Sequence, residues 1–247
     1  MKYLRRLCSY LPLVGAAIVL AALFSVSAHP SRLPYAVAAI GAVVLLTGGT
    51  LGLQALFRNR AIAPAALPGF LVASMTFADF FVEDTALRLA IAAAVSILFL
   101  VLIRHISEST RLEGATVALR ALSEWSAIII IVGSSAGLLA AVTFLNWNVY
   151  LAALAFAAIV VFITFTMARL SAVSGYFLPA AVSLLIIQGF VLLAYLPVSH
   201  WVGAGVLSAL AYLLYSLITS APVISVRRTL ISAGIMCGLL LGTARWR

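Results

Sequence analysis

Long apolar segments separated by short polar connections dominate this chain of 247 residues. Most of these segments have about the 20 residues that an α-helix needs to cross the roughly 30 Å hydrocarbon core of a bilayer. Lipid offers no hydrogen-bonding partners, and an α-helix satisfies its backbone N–H and C=O groups internally. The sequence therefore predicts an all-α protein, a polytopic transmembrane helical bundle with eight or nine spans.

The apolar segments follow one another without a soluble insertion, so we predict one membrane domain over residues 1–247. Only 9% of the residues are charged, against about 25% in soluble domains. The last segment, 229–244, is short for a span, and a membrane-embedded hairpin or a surface helix is the alternative there. The predicted spans are roughly 10–28, 34–57, 64–82, 86–104, 124–145, 148–168, 174–197, 200–219 and 229–244.

Basic residues are distributed unevenly between the two sides of the predicted bundle. Threading the spans in order places eleven of them on one side and only Arg32 and Arg88 firmly on the other. Because cytoplasmic loops carry the excess of Lys and Arg, this asymmetry predicts a cytoplasmic N-terminus in a multi-pass protein of the cell inner membrane (plasma membrane). The eleven are Lys2, Arg5, Arg6, Arg58, Arg60, Arg104, Arg111, Arg120, Arg169, Arg227 and Arg228.

Composition also bears on the source and on the partners of the protein. The chain has fourteen Arg and one Lys, a bias that favours a prokaryotic, GC-rich genome. The basic residues are single or paired among apolar segments and form no compact basic face, so we predict no nucleic-acid binding. The predicted partner is the lipid bilayer, with protein subunits or a second copy of the chain as further candidates.

The most hydrophilic stretch lies between the fourth and fifth predicted spans. Thr110 and Glu113 have capping-box spacing, which marks a helix N-terminus. An apolar stripe at helical spacing follows, and it predicts a cytoplasmic amphipathic helix over 110–123 that runs into the fifth span. This helix lies along its own bundle or the lipid surface, or it docks a cytoplasmic partner. The stripe consists of Leu112, Ala115, Leu119 and Leu122.

An acidic cluster marks the outer end of the third predicted span. Asp79 and Glu83 are four residues apart on one helix face, and Arg88 lies four residues after Asp84 as its natural partner. A carboxylate about one turn below the membrane surface is costly unless it is paired or functional. Asp79 is therefore a candidate to gather cations or relay a proton. The alternative is an interfacial carboxylate that reaches water or pairs with an arginine.

Gln188 lies near the middle of the seventh predicted span, where water cannot satisfy its amide. It bonds a neighbouring helix, or it lines a polar path together with Asp79.

Small residues at a spacing of four let helices approach closely. Gly234, Gly238 and Gly242 have this spacing in the last segment, and they are the best candidates in the sequence for a subunit contact, with packing inside one chain as the alternative.

No catalytic, cofactor-binding or metal-binding motif is present in the sequence. A full predicted span separates Ser174 from His200, so these two residues do not form a nucleophile and base pair at one membrane face. We therefore expect no cofactor and no metal.

The leading hypothesis is a small transporter-like or permease-like subunit. The alternative is a structural or assembly subunit that uses Gly-rich helix faces, and an intramembrane enzyme ranks third.

Overall fold

The computed structural model describes residues 14–22, 24, 25, 35, 39, 41–43, 46, 66–109, 117–170 and 175–219. These residues are helical apart from short connections, and no strand occurs among them. The predicted all-α class is thereby confirmed. From Leu67 onward the described helices are α1 (Leu67–Asp79), α2 (Thr85–Ser109), α3 (Val117–Phe144), α4 (Val149–Leu170), α5 (Phe177–Tyr195) and α6 (His200–Thr219).

Four of these helices are long and apolar enough to cross a membrane, namely α2, α3, α4 and α5. Helix α1 is apolar but has 13 residues, which span about 20 Å at 1.5 Å per residue. Helix α6 is apolar over His200–Tyr215. A protein embedded in a membrane is thus supported. The total of eight or nine spans and the cytoplasmic N-terminus stay predictions, and the segment 229–244 lies outside the described residues.

The chain divides into two compact units, Met1–Ser126 and Ala127–Arg247, and the division falls within α3. The single membrane domain expected over 1–247 remains a prediction. In the first unit, α1 packs against α2. Leu71 on α1 and Phe99 on α2 are fully buried. Pro68 lies in the first turn of α1, where its missing N–H breaks no helical hydrogen bond.

In the second unit, α5 packs against both α4 and α6, and α4 also contacts α6. The rings of Phe156 on α4 and Phe190 on α5 stack with centroids 4.5 Å apart. A Cβ atom added at Gly189 would lie 3.1 Å from the Leu207 side chain on α6. A small residue at this position therefore permits the close approach of α5 and α6.

The connection between α3 and α4 is a tight turn built by two asparagines. Asn146 has a φ of 52°, a left-handed conformation that asparagine tolerates better than most residues. The N–H of Trp147 donates to the carbonyl of Ala141 at 3.3 Å, which satisfies one of the carbonyls in the last turn of α3. The Asn148 side chain then accepts from the N–H of Tyr150 at 2.8 Å and caps α4. Local sequence thus reverses the chain between two apolar helices.

Candidate functional site

Asp79 is the last residue of α1 and one of the few polar side chains buried in the first unit. Its side chain is 5% exposed. Its Oδ1 atom has no hydrogen-bond partner among the residues that the structure describes. The nearby hydroxyls, in contrast, have hydrogen-bond partners. Ser74 donates to the carbonyl of Leu71, and Thr76 donates to the carbonyl of Val72. The helix backbone therefore satisfies the hydroxyls of α1 but leaves a carboxylate oxygen unpaired.

Asp84, a second member of the acidic cluster, has a structural role at the start of α2. Its Oδ1 accepts hydrogen bonds from the N–H groups of Ala86 at 2.7 Å and Leu87 at 3.4 Å. These groups belong to the first turn of the helix, where no intrahelical acceptor exists. Asp84 is thus the N-cap of α2, and its negative charge also lies at the positive end of the helix dipole.

Arg88, in the second turn of α2, reaches back to the turn that follows α1. Its Nε atom donates to the backbone carbonyl of Val82. Among the described residues, Arg88 is the cation whose charge acts on Asp79. The structure therefore gives the side chains of Asp84 and Arg88 separate backbone partners, and it places the guanidinium beside the turn that begins at Asp79. Glu83 is exposed.

Gln188 is exposed on α5. It belongs to the second unit and Asp79 to the first, so the polar path that would join the two remains a prediction.

Gly234, Gly238 and Gly242 lie outside the described residues. Of the predicted amphipathic helix 110–123, residues 117–123 form the beginning of α3 and continue into its apolar part without a break, while 110–116 also lie outside the described residues.

The structure joins one pair of polar side chains that sequence reasoning missed. The hydroxyls of Thr164 on α4 and Tyr215 on α6 are 3.2 Å apart, and both side chains are buried. Thr164 also donates to the carbonyl of Val160 at 2.7 Å. Neither residue belongs to a motif. Because they are 51 positions apart, no local pattern in the sequence indicates that they pair. The pair links two helices of the second unit.

Within the described ranges, no group of three His, Cys, Asp or Glu side chains is arranged to hold a metal ion. No protein-family model, no curated protein and no solved structure matches the chain. The described residues thus define a helical protein with apolar helices suited to a membrane and, in its first unit, a buried carboxylate at Asp79 with one oxygen unpaired among those residues.

Proposed function

We propose that the protein is a small transporter-like subunit in which Asp79 binds a proton or a monovalent cation. The observation that carries this proposal is the buried Asp79 carboxylate, whose Oδ1 has no partner in the part of the chain that the structure describes. An ionisable side chain within a membrane-embedded helix is costly and commonly marks an ion or proton pathway. An oxygen that no described residue donates to is available to a proton or a cation.

The position of Asp79 at the end of α1 adds to this argument. The C-terminal end of a helix carries partial negative charge, which favours a cation beside the carboxylate. The charge of Arg88 acts in the opposite sense and limits how strongly a cation is held. A site with such opposing contributions releases its ion as well as binding it. Transport requires both steps.

The membrane in which this subunit works is part of the proposal. We place it in the inner membrane of a prokaryote with the N-terminus in the cytoplasm. The excess of Lys and Arg on one side of the predicted spans supports this orientation. Asp79, at the outer end of its predicted span, then opens toward the exterior.

Flux measurements on reconstituted protein test the role of Asp79. Purified protein is placed in liposomes that contain a pH-sensitive dye for protons or a thallium-quenched dye for monovalent cations, and a membrane potential is imposed. We expect flux above that of empty liposomes for the wild type, and a fall to the empty-liposome level for Asp79→Asn. Glu83→Gln, an exposed carboxylate four residues away, is the matched control and should keep the wild-type rate.

Two results would contradict the proposal: no flux of either probe through the wild-type protein, or equal flux through the wild type and Asp79→Asn. Removing the charge should not impair membrane insertion, so circular dichroism and gel filtration should show that the variant is folded.

A structural or assembly subunit is the second candidate function, and one observation favours it. Gln188 is exposed on α5, where a polar group serves contact between helices better than it serves a path inside the unit. In such a subunit Asp79→Asn would leave every flux unchanged, while substitutions on the exposed face of α5 would reduce the yield of the assembled complex.

A further inference from the structure

One face of α5 is exposed along its length and combines apolar side chains with a single amide. Gln188 lies on this face between Leu184 and Leu192, which are 55% and 64% exposed. The spacing of four residues places the three side chains on one stripe. Ser183 and Ile186 lie on the opposite face and are buried in the second unit.

Lipid covers the leucines of this stripe well but not the amide. A glutamine side chain has two N–H donors and an acceptor oxygen, and leaving them unpaired in an apolar medium costs free energy. Gln188 makes no hydrogen bond to any residue in the described part of the chain. The face therefore requires a neighbour that offers a donor and an acceptor at the depth of Gln188.

We propose that this neighbour is a second copy of the chain, with the Gln188 amides of the two copies hydrogen-bonded to each other. Copies that insert with the same orientation carry Gln188 at the same depth. A two-fold axis along the membrane normal then brings the stripe of one copy against the stripe of the other, as an isologous interface requires. A primary amide is both donor and acceptor, so two reciprocal hydrogen bonds form between identical groups.

The Gln188 amide of a second copy offers a donor and an acceptor at the same depth in the membrane, so no other protein is needed to pair with it. Gln54, the other glutamine of the chain, lies close to the inner end of its predicted span, whereas Gln188 lies near the middle of the seventh. Helix α4 widens the surface next to α5, since Leu151 and Leu154 are also exposed. At the predicted outer end of the two helices the side chains of Tyr150 and Tyr195 lie near each other, so the exposed faces of α4 and α5 adjoin there.

Disulfide cross-linking between copies tests the geometry. Cys8 and Cys237 are replaced by serine, and single cysteines are introduced by Leu184→Cys, Gln188→Cys and Leu192→Cys in liposomes. Oxidation with copper phenanthroline should give a band of twice the monomer mass for all three variants. Ser183→Cys, on the buried face of the same helix, is the matched control and should remain monomeric.

The same experiment separates a second copy from a partner within the chain. In the double variant Asp79→Cys with Gln188→Cys, a disulfide inside one chain would show that Asp79 covers the amide, and it would overturn the proposal. The absence of a dimer band for Gln188→Cys would overturn it as well.

A second measurement follows the strength of association. Energy transfer between labelled copies is recorded while lipid dilutes the protein. We expect Gln188→Leu to weaken association about fivefold to thirtyfold, as loss of an interhelical amide contact implies, and Gln188→Asn to retain much of it. Leucine is more apolar than glutamine, so insertion is not impaired. Equal association of Gln188→Leu and wild type would contradict the proposed contact.

Discussion

A buried pair of hydroxyls in the second unit and a buried carboxylate in the first unit differ in how their hydrogen-bonding groups are satisfied. In the second unit the buried hydroxyls of Thr164 and Tyr215 pair with each other, and the amide of Gln188 is exposed. In the first unit the Asp79 carboxylate is buried, and its Oδ1 has no partner among the described residues. An unsatisfied buried polar group costs far more than a satisfied one contributes. The Thr164–Tyr215 pair therefore contributes to packing in the second unit, whereas the Asp79 carboxylate is a destabilising group in the first, as groups at functional sites often are.

Removing an aromatic side chain from the second unit should have the largest effect on stability. Phe156 is fully buried and stacks on Phe190, so Phe156→Ala leaves a cavity between α4 and α5. We expect the free energy of unfolding to fall by about 3 kcal/mol, the lower end for this substitution. Unfolding by SDS in mixed micelles, followed by circular dichroism, measures the change.

Leu154→Ala is the control for this prediction, because Leu154 is on the same helix and 69% exposed. Its effect should stay within about 0.5 kcal/mol, as for substitutions outside a core. Equal losses for the two variants would mean that α4 does not bury the face described for it, and the description of the second unit as packed around Phe156 and Phe190 would be wrong.

A smaller effect is expected at the rim of the first unit, where Asp84 caps α2. Asp84→Ala removes the acceptor for two N–H groups, and we expect a loss of about 1 kcal/mol. Hydrogen exchange should show faster exchange at the amides of Ala86 and Leu87. Glu83→Ala is the matched control, since Glu83 is exposed, and it should leave both amides protected. If hydrogen exchange at these amides is unchanged in Asp84→Ala, Asp84 does not stabilise the start of α2.

The smallest expected changes in the free energy of unfolding differ between the units, with a small loss in the second unit and no loss in the first. Tyr215→Phe removes a hydrogen bond between helices and should lower the free energy of unfolding by about 0.6 kcal/mol, the average for such bonds in membranes. Asp79→Asn removes a buried charge and should not lower it. SDS unfolding of both variants compares them directly. If Asp79→Asn costs more than Tyr215→Phe, the Asp79 charge stabilises the fold and the distinction between the units fails.

Hydrophobic patterning predicted most of the described fold. The predicted spans 86–104, 148–168, 174–197 and 200–219 fall on α2, α4, α5 and α6 with small differences at the ends. Long apolar segments determine helices directly, because no other local structure satisfies the backbone in lipid. The helix within the third predicted span, 64–82, is shorter than that prediction, because α1 begins at Leu67, beside Pro68, and ends at Asp79, before a turn.

The candidate site could be predicted only in part. The cost of a carboxylate within a membrane segment identified Asp79, and the same reasoning identified Gln188. The sequence did not distinguish their environments, because burial depends on which helix face packs against a neighbour. It also predicted that Arg88 pairs with Asp84, whereas the turn at Phe80–Val82 brings the Val82 carbonyl to the guanidinium and the first turn of α2 brings two N–H groups to Asp84.

The sequence by itself determined that this protein is helical and apolar enough for a membrane, since composition and segment length act locally along the chain. Tertiary structure decided which polar groups are satisfied. Thr164 and Tyr215 are 51 positions apart, and only the packing of α4 with α6 brings their hydroxyls together. Asp79 is buried within the first unit, while Gln188 is exposed because α5 directs its opposite face toward α4 and α6. Hydrogen bonds have short range, so the satisfaction of a polar group depends on contacts between distant segments.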